Sequence, residues 1–144
     1  MMRRINMKRS EINQVIKDME KLISDHRFEI PPFCGWTPED WKDKGTEYQE
    51  IRDNMLGWDI TDYGTGDFSK VGLSLITIRN GNPKNPRYTK TYAEKLLMLK
   101  EGQHSPMHFH WNKMEDIINR GGGTILIQVY NSTAVSYTHL RAHE

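Results

Sequence analysis

Gly102-Gln-His-Ser-Pro-Met-His108-Phe-His110-Trp-Asn-Lys113-Met-Glu115-Asp-Ile-Ile-Asn-Arg120-Gly-Gly122 is the stretch on which the reading of this chain turns. His108 and His110 stand two positions apart, so on a β-strand both side chains point to one face. Glu115 follows shortly and can close on the same point across a turn. Two imidazoles and one carboxylate suit a divalent transition metal. Bonds of roughly 2.0–2.2 Å would then hold the three donors about 3–4 Å apart. The bland alternative is a pair of hydrogen-bonded core histidines, or a surface strand. The spacing to Glu115 and the glycines on both sides argue against it. His104 lies nearby but outside the pattern, and reads as a loop histidine.

Outward from this stretch the apolar residues alternate. Trp58 to Tyr63 reads as a strand closed by Gly64-Thr-Gly66. Val71 to Arg79 is a second, with Val71, Leu73, Leu75 and Thr77 on one face. Asn80-Gly81-Asn-Pro83 and Asn85-Pro86 mark a loop. Thr91 to Leu99 is a third strand and places Lys95, Leu97 and Leu99 together. Met107 to Trp111, Glu115 to Asn119 and Thr124 to Tyr130 complete a set of six, with Gly121-Gly-Gly123 as a turn. Many short strands at close spacing predict an all-β barrel or sandwich.

The N-terminal part has a different period. Ile12, Val15, Ile16, Met19, Leu22 and Ile23 recur at three- and four-residue steps, which predicts an amphipathic helix. Ser10 is the expected N-cap, with Glu11 in the first turn. Phe28-Glu-Ile-Pro-Pro-Phe33 reads as extended. Thr37-Pro38 starts a short second helix running toward Tyr48, with Gly45 as a breaker.

The totals narrow the classes. The chain has 144 residues, 27% of them charged, and a formal net charge of +1. That is one domain's length. The near-neutral balance gives no argument for a nucleic-acid or membrane partner. Arg3, Arg4, Lys8 and Arg9 read as a solvated N-terminus. Cys34 is the one cysteine, so no intrachain disulfide can form. No apolar run approaches the roughly 20 residues of a membrane span. The expected location is the cytoplasm.

The pattern glycine, five residues, His-x-His, four residues, glutamate, six residues, glycine resembles the first motif of the cupins, and all five fixed positions match. The resemblance implies a mainly β fold. The expectation is a cupin-type antiparallel β-barrel (jelly roll), incomplete at the C-terminus, with N-terminal α-helices. The expected organisation is a partial cupin domain over 1–134, with a helical region at 1–57 and barrel strands at 58–134. Residues 135–144 resemble a translated adapter read-through and are set apart as a non-native tail, His139 and His143 with them.

Two lysines have bland readings from the bare sequence. Lys113 shares the face of Glu115 on a strand, yet reads as a turn lysine in water. Lys95 reads as a snorkelling lysine in an apolar strand. A narrower resemblance changes this. Lys95, the run His108 to Gly123, and Gln128-Val-Tyr-Asn-Ser132 closely resemble bacterial D-lyxose isomerases, which are cupin sugar isomerases. The likeness starts at Trp36-Thr-Pro-Glu-Asp-Trp41 and continues to about Thr133.

This resemblance implies a metal-dependent aldose–ketose isomerase. It would interconvert D-lyxose and D-xylulose, and also D-mannose and D-fructose. It implies a divalent metal, usually Mn2+, with His108, His110 and Glu115 as ligands. Lys95 and Lys113 would line the sugar site. The partner is a small sugar, and the whole protein is expected to be a homodimer. The metal would hold the sugar's O1 and O2, and a proton would pass between C2 and C1 through a cis-enediolate. A hydride shift is the competing path. The family's fourth ligand, a histidine, and its acid/base carboxylate come from a later motif absent here. The chain thus carries half a site and is expected to be inactive as it stands. Two other classes stay open: a non-haem iron cupin oxygenase, and a sugar-binding cupin without catalysis.

Overall fold

The computed structural model describes residues 7–131. The tail at 135–144, with His139 and His143, lies outside the described residues. The chain divides into two compact units, with the boundary between Ser105 and Pro106.

The first unit opens with helix α1, Arg9–Asp25. Val15, Met19 and Ile23, at four-residue steps, are its buried stripe. The helix begins earlier than expected. Lys8 is the N-cap and Ser10 lies inside the first turn. The stabilising contact comes from Glu11, whose carboxylate accepts the Lys8 backbone N–H at 2.6 Å. A single-turn 3-10 helix follows at Pro32–Gly35.

Helix α2 is Pro38–Lys42 and is capped as the sequence predicts. Thr37 Oγ1 accepts the Asp40 N–H at 3.2 Å, and Asp40 Oδ2 accepts the Thr37 N–H at 2.8 Å. Each end supplies the partner the other lacks. The helix stops before Gly45, and the chain resumes as a 3-10 turn at Thr46–Tyr48 and helix α3, Gln49–Asp53.

Three strands follow: β1 Gly57–Thr61, β2 Leu73–Arg79 and β3 Glu94–Met98. They form an antiparallel sheet in the order β1-β2-β3. Trp58 faces Ile76 across the first pair, and Ile76 faces Leu96 across the second. Alternation then sorts the side chains. Trp58, Ile60, Ile76, Ile78, Leu96 and Met98 share the face that packs with Val15, Met19 and Ile23 of α1. Ile76 at the centre is fully buried. Leu75, Thr77, Lys95 and Leu97 occupy the opposite face. The expected helical start and antiparallel sheet are both present. Among the described residues the sheet is three-stranded and is not a closed barrel.

The second unit departs from expectation. Met107 to Trp111, Glu115 to Asn119 and Thr124 to Tyr130 were expected as strands, and none of them is one. Strand backbone needs a hydrogen-bonded neighbour, and a ladder partner can lie far away in sequence. Among the described residues, 115–119 and 124–130 pair with no strand. Their apolar side chains are correspondingly bare: Ile118 is 74% exposed and Leu126 95%. The glycine turn does form. Gly122 has a φ of 87°, open to glycine without strain, and Asn119 Nδ2 donates to the Gly123 carbonyl at 2.9 Å.

Candidate metal centre

The residues just before the motif are anchored within the first unit. Gln103 is buried, donates its side-chain amide to the Phe68 carbonyl and accepts the Lys100 N–H at 3.0 Å. His104 makes a parallel bridge with Val71: its N–H reaches the Lys70 carbonyl at 2.9 Å, and its carbonyl takes the Gly72 N–H at 3.1 Å. Ser105 Oγ meets the Tyr63 hydroxyl at 2.9 Å. His104 is thus a backbone anchor with an exposed side chain. In the sequence, Gln103 beside Gly102 carries no signal that distinguishes it from a solvated loop residue.

In the second unit the alternation survives at the motif, although that stretch is not a strand. The rings of His108 and His110 meet edge to face at 5.0 Å, and those of Phe109 and Trp111 do the same at 4.8 Å. The two histidines therefore share one side. The chain bends at Trp111 and Asn112, which brings Lys113 and Glu115 back toward them. His110 Nε2 lies 3.4 Å from Glu115 Oε1. One donor atom from each of His108, His110 and Glu115 lies within 4.8 Å of the others. One pair is at the expected spacing, and the set as a whole is slightly wider. Among the described residues this group has three members.

The local chemistry suits a metal. His108 Nδ1 lies 3.0 Å from the Pro106 carbonyl, which can only accept. That contact puts the proton on Nδ1 and leaves the Nε2 lone pair for an ion. Two imidazoles and a carboxylate are an oxygen- and nitrogen-rich donor set, as such an ion prefers. Lys113 Nζ lies 2.5 Å from Glu115 Oε1. Burial pushes the Glu115 carboxyl up, but the hydrogen bond and charge of Lys113, then His110 and His108, outweigh it and hold the group below the usual glutamate range. Lys95 belongs to the first unit, opposite Thr77 on β3, with an exposed side chain.

The family profile described as D-lyxose isomerase matches residues 7–142 of this chain. The chain belongs to the D-lyxose isomerase family. A D-lyxose/D-mannose isomerase of Escherichia coli O157:H7 is 42% identical over 133 residues, which is 92% of this chain and 59% of that protein. A second, of Serratia proteamaculans, is 42% identical over 127 residues, 88% of this chain and 56% of that protein. The chain therefore spans less than two thirds of the length of these relatives, while His108, His110 and Glu115 fall within the matched region.

Proposed function

We propose that this chain carries the metal-binding part of an aldose–ketose isomerase that converts D-lyxose to D-xylulose and also accepts D-mannose. The convergence of His108, His110 and Glu115, inside a family match covering most of the chain, supports this reading. His108, His110 and Glu115 would hold a divalent ion, manganese first. Such an ion supplies Lewis acidity toward the sugar oxygens.

The chain's own residues do the rest. The Pro106 carbonyl keeps His108 in one tautomer. The Lys113 ammonium stands beside the ligand carboxylate, where it can donate to a sugar oxygen. There it would support the negative charge that develops as the C2 proton leaves. Lys95 is carried in a similar role on the resemblance alone. In this reading the whole enzyme is a cytoplasmic homodimer.

The 144 residues alone are proposed to be inactive. Three protein ligands hold an ion less firmly than four. A domain's net stability is only about 5–15 kcal/mol, so apolar surface left in water weighs heavily. The test is a ketose assay with D-lyxose and manganese on two chains: this one, and one extended to the relatives' length. The extended chain is expected to form D-xylulose and to lose that activity on His108→Ala. An extended chain that binds the sugar and never turns it over would overturn the isomerase reading.

A further inference from the structure

We propose that Lys113 is the internal counter-cation of the metal-free site, and that metal loading and the release of Lys113 are one event. This rests on the metal-centre reading and adds to it how the site is held before an ion arrives. The key atom is Glu115 Oε1. It lies 3.4 Å from His110 Nε2 and 2.5 Å from Lys113 Nζ. The oxygen nearest the imidazole is therefore the one the ammonium grips.

An ammonium has three donors and no lone pair, so while charged it cannot be a ligand. It stands where a cation must stand to satisfy this carboxylate. The Glu115 carboxylate carries a negative charge, and the Lys113 ammonium pairs with it. A divalent ion coming to Oε1 meets a unit positive charge at contact range. It must take the oxygen over, which costs the ion pair and leaves two cations close together. Lys113 can yield, because its side chain is 42% exposed on a flexible four-carbon stem. Once displaced, the ammonium is without its carboxylate and free to donate to another oxygen. Loading the ion thus makes this lysine available for a substrate.

The test is calorimetric titration of manganese into the 144-residue chain and its variants. Lys113→Gln is expected to bind roughly tenfold tighter than the unaltered chain, because the competing charge is gone. Lys113→Arg, which keeps the charge, is expected to stay near the starting affinity. A second measurement needs no substitution. Acetylation of Lys113, read by peptide mass spectrometry, is expected to speed up severalfold when manganese is added. A Lys113→Gln chain that binds manganese no tighter than the unaltered chain overturns the proposal. So does Lys113 acetylation that does not rise with manganese. His108→Ala is the separate control: if it binds manganese as tightly as the unaltered chain, the metal-centre reading itself fails.

Discussion

Glu115 Oε1 sits between a lysine and a histidine, and His108 is steered by a backbone carbonyl two residues before it. These contacts make the histidines hard to replace. His108→Ala or His110→Ala is expected to weaken manganese binding about a hundredfold or more, since even outer partners of a metal ligand cost roughly 10–100-fold. Elemental analysis or calorimetry checks this, and full metal occupancy in the double variant would contradict it. A second prediction concerns Cys34. Burial, then the charge of Glu20, pushes its thiol from 9.0 to about 11. At pH 8 the folded chain should hold about a hundredfold less thiolate there than an ordinary cysteine, and alkylate correspondingly slowly. Iodoacetamide labelling of folded and urea-unfolded chain gives the comparison.

Among the elements, α3 is short and depends on outside ties. Asn54, just past its end, is buried; it donates to the Asn80 carbonyl at 3.2 Å and accepts from Asn82 Nδ2 at 3.1 Å. Tyr88 donates to Asp53 Oδ2 at 2.6 Å, and Lys90 pairs with Glu50 at 2.5 Å. The Tyr88 and Gln49 hydrogen bonds hold the Asp53 carboxyl below the usual aspartate range. A lowered carboxyl adds stability at pH above its unfolded value, and that stability fades as pH falls through the folded value. Tyr88→Phe should raise the Asp53 titration midpoint and shrink the acid-side loss, as read by NMR titration. The sheet is governed by its centre. Ile76 is 0% exposed, between Trp58 and Leu96 and under α1. Ile76→Ala should cost about 2–5 kcal/mol, measured by urea unfolding.

Much at this scale was legible in the sequence. The α1 stripe, the Thr37 cap and the three strands all follow from residues a few positions apart. The start of α1 was not, because a first-turn glutamate reaching back to Lys8 served where a Ser10 cap was expected.

Across the molecule the two units differ in how their backbone is satisfied. The first has helices and a sheet under one apolar cluster. Residues 106–131 keep the composition of strands but form none. Hydrogen exchange should separate them. Amides of β2 are expected to be protected, whereas those of 115–119 and 124–130 should exchange near free-chain rates. Protection of the latter segments equal to that of β2, read by mass spectrometry on the 144-residue chain, would contradict this description. In a chain extended to the relatives' length, protection there should rise if added strands pair with them.

The sequence by itself determined the donor set and its order, because ligand spacing and the same-side placement of His108 and His110 depend on neighbouring residues only. It also determined the switch from helical to alternating period near residue 57. The tertiary structure alone decided which alternating segments become strands, because a ladder needs a partner that no local pattern can supply. It alone decided that Lys113 and His110 converge on one oxygen of Glu115, because that depends on the bend at Trp111 and Asn112 rather than on the two-residue period of a strand.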